Sequence, residues 1–268
     1  MNLFYYTTIQ TLALILDSKC IRFRRLDFMD DLKEAEDFSV YNPLQYIFTF
    51  CLTRDKTENI PMWKMYSNLE TGIRIEFNKE TIFAPSYKGT QIPKSSQEKI
   101  EFPHNIYTAL RPLDIINSDY GCLYLNTLSK ESIITYKDVI YGDSYKEKYV
   151  NCLYCKDDLE QKTRNISFKP HDFGFYKTKY WEFQQESRFL IHTFPFPKTH
   201  DELQKLACSN KKLETEYIDV PLSDGCLNNL VIRLSPKADY ASRLIVEALT
   251  KRYSNIRIED SDLKGHLR

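Results

Sequence analysis

Polar and apolar positions alternate at period two through several stretches of the chain. In Trp181-Glu-Phe-Gln-Gln-Glu-Ser-Arg188 the alternation predicts a strand, within Tyr180 to His192. It sets Gln184, Glu186 and Arg188 on one face and Phe183 and Phe189 on the other. Such a face is either a reaction surface or the wet side of a sheet, and alternation alone does not separate the two.

The same pattern predicts the other elements. Asn2 to Tyr6 reads as a first strand, and Thr7 or Thr8 caps a helix with Ile9, Leu12, Ala13 and Leu16 on one side. Ile21 to Leu26 is strand-like, with Arg22 and Arg24 opposite Ile21 and Phe23, and the acidic stretch Asp27 to Asp37 is a loop or short helix. Tyr46 to Leu52 is a buried, β-prone run. Pro61 opens a short helix with Met62, Trp63, Met65 and Tyr66. Gly72 precedes a strand with Ile73, Ile75 and Phe77 on one face and Arg74 and Glu76 on the other.

Phe83 to His104 has no clear period and reads as a long loop. Helices are expected near Asn105 to Leu113 and Asp157 to Arg164, and late strands at Tyr217 to Val220, Leu230 to Leu234 and Ile256 to Glu259. Ser235-Pro236 starts a last helix with Ala241, Leu244, Ile245, Ala248 and Leu249 at helical spacing. No linker or repeat divides the chain. The expected fold is one α+β domain over residues 1–268, with a mixed or antiparallel sheet, flanking helices and room for an insertion over about 83–170.

Composition narrows the function classes. Aromatic content of 14% supports a folded, sheet-rich chain, and 37 basic against 37 acidic residues leave no global field to recruit nucleic acid or membrane. The N-terminal apolar run is short and has no basic leader, so a soluble, cytoplasmic protein is expected. Seven cysteines favour reduced thiols. Cys152 and Cys155 have ligand spacing, with His171 nearest in sequence, but a single C-x-x-C without a mate is a weak zinc signal, and no metal is expected.

Seven glycines make no phosphate-cradling loop, and there is no G-x-S-x-G or H-E-x-x-H. His104, His171, His192, His200 and His266 show no paired ligand spacing. What remains is an aromatic and arginine set: Tyr5, Tyr6, Arg22, Arg24, Trp63, Tyr66, Arg74, Trp181, Gln184, Glu186 and Arg188. It could stack on a nucleotide and grip its phosphates, or it could be an aromatic core with salt-bridged strand faces.

Four segments carry a resemblance: LFYYTTIQTLALILDSKCIRFRRLDFMDD, FTFCLTRDKTENIPMWKMYSNLETGIRIEF, KYWEFQQESRFLI and VIRLSPKADYASRLIVEALTKRY. In this order they resemble an uncharacterised bacterial domain-of-unknown-function family with a tyrosine-rich first strand, an "fND" turn, an "MW..Y" block and a "W.yE.EwR" strand. Members are often suspected of roles in phage defence. The layout is more distantly similar to the ADP-ribosyltransferase superfamily, which implies a split-sheet core, NAD as substrate, and an acceptor that is protein or nucleic acid.

Carried over by position, that likeness implies Glu186 as the catalytic carboxylate and Gln184 as its partner two residues before. It puts Tyr5 on the first strand, Thr49 to Thr53 on the middle strand and Tyr66 shortly after. Tyr6 and Arg188 join the NAD-binding set, and Arg22, Arg24 or Arg74 would hold the pyrophosphate. Three positions depart from the pattern: Tyr5 stands where a basic or imidazole residue is usual, Met29 replaces the Asn of the "ND" turn, and Gln184 replaces a Glu.

Three functions follow as expectations. One is an NAD-dependent transferase or NAD-cleaving effector in defence or a toxin system. Another is an inactive nucleotide-sensing or protein-interaction module. The third directs the chemistry at nucleic acid, using Lys88, Lys94 and Lys99 beside aromatics, with Glu98 and Glu101 opposing it.

Overall fold

The computed structural model describes residues 1–34, 43–84, 95–101, 107–112, 120–125, 133–143, 153–158, 163–168, 173–195 and 214–267. In chain order the elements are β1 (Asn2–Thr8), α1 (Ile9–Ser18), β2 (Cys20–Arg25), β3 (Ile47–Thr53), α2 (Ile60–Tyr66) and β4 (Gly72–Asn78). Then come β5 (Ser95–Glu101), β6 (Tyr107–Pro112), β7 (Tyr120–Leu125), β8 (Ile134–Asp138), β9 (Ile140–Gly142), β10 (Leu153–Asp158), β11 (Thr163–Phe168) and β12 (Tyr176–Thr178). β13 (Glu186–Pro195), β14 (Tyr217–Pro221), α3 (Asp224–Asn228), β15 (Val231–Leu234), α4 (Tyr240–Thr250) and β16 (Arg257–Glu259) complete the set.

Most strands join one sheet in the order β16-β15-β4-β1-β3-β13-β7-β6-β5, with β2 carrying β14 onto β3 and β8 lying on β13. Pairing is antiparallel except for β15 with β16 and β9 with β12. The fold is therefore mixed α/β with a mostly antiparallel sheet and few helices. β13 runs the length of β3, from Glu186 opposite Thr53 to His192 opposite Ile47. The other edge of β3 is shared: Thr53 pairs with Phe4 of β1, whereas Thr49 and Phe48 pair with Arg24 and Arg25 of β2. β1 and β2 thus fork from one edge of β3.

The largest hydrophobic cluster lies on one face of this sheet, with smaller ones around Ile47 and Leu190 and around Tyr6 and Trp63 on the other. Alternate residues, Ile21 and Phe23 of β2, Phe48, Phe50 and Leu52 of β3, and Ile73, Ile75 and Phe77 of β4, join one cluster, although β3 and β4 are buried on both faces. Ile9, Leu12, Ile15 and Leu16 of α1 pack on it. Thr8 caps α1 by accepting from the Thr11 N–H, and Pro61 sits in the first turn of α2, both as their types predict.

Several expectations fail. Lys179–Gln184 is a 3-10 turn, not strand, and Gln185 closes it in the left-handed region at φ 43°, so β13 begins only at Glu186. Three aromatics in five residues mimicked strand alternation, but Trp181 and Phe183 pack against each other on the turn, rings 6.3 Å apart. The loop expected over Phe83 to His104 contains β5, the helix expected at Asn105 to Leu113 contains β6, and the helix at Asp157 to Arg164 falls on the β10–β11 pair. Short β-branched and aromatic runs compete with helical spacing there.

The last helix starts at Tyr240, capped by Asp239 accepting from the Ser242 N–H, not at Pro236. Its buried face is Ser242, Val246 and Thr250, leaving Leu244 and Ile245 outside. Cys152, His104, His171, His200 and Lys88 fall outside the described residues. Among the described residues no helix is long and apolar enough to cross a membrane.

Candidate functional site

The fork is where the sheet opens. Arg54 N–H donates to Gln185 C=O, which continues the β3–β13 ladder, so by alternation Thr49, Cys51 and Thr53 direct their main-chain groups to the opposite edge. Thr53 meets β1 and Thr49 meets β2. Cys51, opposite Arg188 of β13, is in register with no residue of β1 or β2 among the described residues. A cavity of about 400 Å³ occupies the fork, and its lining draws on both sheet faces: Tyr5, Phe50 and Leu52 from the core side, Phe4, Tyr6, Thr49, Cys51 and Thr53 from the other. Arg22 and Arg24 of β2, Phe28, Met29 and Asp30 after it, Met62, Met65 and Tyr66 of α2, and Lys177, Gln184 and Glu186 complete it.

Eight of the ten expected site residues meet here: Tyr5, Tyr6, Arg22, Arg24, Thr49, Tyr66, Gln184 and Glu186. Arg74 and Arg188, also expected in the site, do not line the cavity. Arg74 is buried beneath β1, its guanidinium 4.6 Å from the Phe4 ring centre, donating to Lys56 C=O at 2.9 Å. Arg188 is fully buried two residues behind Glu186. Its Nη1 and Nη2 grip Glu34, its Nη1 also reaches Gly174 C=O, and its Nε donates to Glu186 Oε1 at 2.7 Å. Both arginines hold the site's walls.

Glu186 opens β13 at the fork. Its backbone N–H donates to Tyr141 Oη at 2.8 Å, and its C=O accepts from the Val139 N–H and from Arg54. Only 4% of the residue is exposed. Its second oxygen, Oε2, is 2.7 Å from Lys177 Nζ, close enough for an ion pair but too oblique for a hydrogen bond. Burial raises its pKa, but the Arg188 and Lys177 cations outweigh that and hold the carboxyl down to about 2. Two carboxylates, Glu34 and Glu186, and two cations, Arg188 and Lys177, thus form a neutral buried cluster. Such a cluster survives because each charge is paired.

A hydrogen-bonded chain leads from it along the cavity wall. Lys177 Nζ donates to Gln184 Oε1 at 2.9 Å, Gln184 Nε2 donates to the Tyr66 hydroxyl, and that hydroxyl donates to Asp30 Oδ2 at 3.0 Å. Burial, with Asp30 next, raises the Tyr66 pKa far above its ordinary value, so the phenol stays a donor. Burial, aided by Glu186, pushes the Cys51 thiol up to about 12, which favours the protonated thiol. Tyr6 Oη accepts from the Asn59 N–H at 3.3 Å and its ring meets Trp63 edge-on at 4.9 Å.

Lys177, Cys51 and Asp30 were missed by sequence reasoning. Asp30 carried a signal, since it is the aspartate of the turn in which Met29 replaces Asn. Lys177 had none: it comes from a three-residue strand, β12, that pairs in parallel with β9. Among the described residues no group of His, Cys, Asp and Glu is arranged to hold a metal ion.

Neither the curated proteins nor the solved structures contain a match to this chain. Residues 62–189, a little under half of the chain and spanning α2 to the start of β13 with Gln184 and Glu186, match the model of a family described as a protein of unknown function, DUF2971, so that the chain is similar to a domain-of-unknown-function family.

Proposed function

We propose that the fork cavity binds an NAD-type dinucleotide and that the protein breaks its nicotinamide–ribose bond. The C1′–N bond breaks, its electron pair leaves with nicotinamide, and the ribose cation is captured by water or an acceptor nucleophile, which loses a proton. The observation that carries this reading is that Glu186 lines the same cavity as Tyr5, Tyr6, Thr49 and Tyr66, at the point where β1 and β2 part. A fixed carboxylate in a buried site stabilises positive charge developing on ribose.

Binding without turnover is the second reading. It is favoured by the two cations, each 2.7 Å from a Glu186 oxygen, which offset the negative charge that cleavage uses. Purified protein incubated with labelled NAD, with and without cell extract, separates the two. Nicotinamide release or label transfer that disappears in a folded Glu186→Gln variant supports cleavage. Saturable NAD binding without release supports the sensor or interaction module. Absence of both binding and release overturns both readings.

A defence or toxin role rests on the family resemblance. Growth arrest with NAD depletion on expressing the wild type, and not Glu186→Gln, supports it; unimpaired growth with normal NAD in both counts against it.

A further inference from the structure

We propose that Arg24 is the anion-binding residue of the fork cavity and takes the phosphate groups of a nucleotide ligand. This rests on the reading of the cavity as a nucleotide site, and it selects one arginine where the sequence left three. Arg74 is spent on Lys56 C=O and the Phe4 ring, inside the wall. Arg22 lines the cavity but binds Asp219 in a two-pronged pair, Nε and Nη2 each at 2.9 Å, and lies 3.5 Å from the Tyr217 ring centre. Its fork of donors is already matched to a carboxylate. Arg24, on the same face of β2 and opposite Thr49, is exposed and has no ion-pair or hydrogen-bond partner among the described residues.

Charge around the cavity agrees. The ionised groups that line it are Arg22, Arg24, Lys177, Asp30 and Glu186. Lys177 is paired with Glu186, Arg22 with Asp219, and Asp30 accepts from the Tyr66 hydroxyl. Among the described residues Arg24 is the one cation of the lining with no ion-pair or hydrogen-bond partner. Thr49, opposite Arg24, and Cys51, two residues along β3, line the same cavity. An uncommitted arginine fork matches the paired oxygens of a phosphate.

Calorimetric titration of the full chain with ADP, adenosine and inorganic pyrophosphate tests the assignment on wild type, Arg24→Ala and Arg22→Ala. ADP is expected to bind wild type at least about ten-fold more tightly than adenosine, a difference of about 1.4 kcal/mol. Arg24→Ala should lose that preference while its adenosine affinity stays unchanged, and Arg22→Ala should keep it. An ADP preference undiminished in Arg24→Ala overturns the role of Arg24 and leaves the nucleotide reading standing. Arg24-dependent binding of pyrophosphate with no binding of ADP or adenosine keeps the anion site and overturns the nucleotide reading. If none of the three binds, both fall.

Discussion

Lys177 Nζ stands 2.7 Å from Glu186 Oε2, and both side chains are almost wholly buried at the cavity floor. The pair ties β12, a three-residue strand, to the first residue of β13. Taking two ions out of water is costly, and here it is offset by Arg188 and Gln184 on either side, which leave neither ion with a single partner.

Removing one member should therefore cost more than removing the pair. Lys177→Met leaves three charges of net −1 in a buried cluster, and the expected loss is about 3–5 kcal/mol of folding stability. In Lys177→Met with Glu186→Gln the remaining Arg188 and Glu34 balance. The double variant is expected to be more stable than Lys177→Met alone. Urea denaturation of wild type, both single variants and the double gives the coupling as a thermodynamic cycle.

Acid should erase the contribution of Glu186 in a defined window. Its carboxyl is lowered from 4.5 to about 2 because Arg188 and Lys177 outweigh burial. A depressed carboxylate stabilises the fold above its unfolded pKa and loses that contribution as pH falls through the folded one. The stability gap between wild type and Glu186→Gln should thus be full above about pH 5 and shrink between about 4.5 and 2. Denaturation midpoints of the two proteins across this range measure it. A gap that does not change with pH would mean that the carboxylate is not held by its cations.

Much of the site could be read from the sequence because it is built from strand faces. The alternation Ile21, Phe23 against Arg22, Arg24 survives intact in β2, and Gly72 does open a strand with Ile73, Ile75 and Phe77 inward. What alternation could not supply is where a strand begins. Gln184 was expected to share a strand face with Glu186, yet it reaches the cavity from a 3-10 turn, through a left-handed Gln185 that no local pattern announces. Nor does spacing reveal partners far along the chain. The guanidinium of Arg188 is held by Glu34, 154 residues away, a partner that no spacing along the strand announces. Lys177 was invisible for the same reason, since its role comes only from the pairing of β12 with β9.

Glu58 is expected to control the wall that carries Tyr66. Its Oε2 accepts from Trp63 Nε1 at 3.0 Å and from Ser261 Oγ, while Oε1 accepts from Arg233 Nη1 and the Asp262 N–H, both at 2.8 Å. Four donors converge on one buried carboxylate, joining α2 to the chain after β16. Glu58→Gln replaces an acceptor oxygen by an NH₂ group facing donors. The expected loss is about 3 kcal/mol. Faster amide exchange at Asp262 and Leu263, with Leu12 and Leu16 in α1 unaffected, would locate the loosening.

Gly72 is where the turn from α2 meets β4, and it tolerates no side chain. A Cβ there would stand 1.9 Å from Ser67 Oγ and 2.2 Å from Asn68 C=O. The serine is held in place by donating to Thr7 C=O at 2.8 Å, and the Asn68 carbonyl accepts the Gly72 N–H at 2.9 Å. Rotating Ser67 would relieve the first clash and sacrifice its bond to β1. The second clash is with main chain and can be relieved only by moving the turn. Gly72→Ala is thus expected to cost about 3 kcal/mol, with Ser67→Ala/Gly72→Ala recovering only part of it. Because Ser67 directly follows Tyr66, the displaced turn should also disturb the Tyr66 contacts with Gln184 and Asp30. Urea midpoints of the two variants against wild type measure the first effect, and the ultraviolet difference spectrum of tyrosine, in a Tyr66→Phe background as control, measures the second. A fully stable Gly72→Ala protein would show that the turn has room to shift.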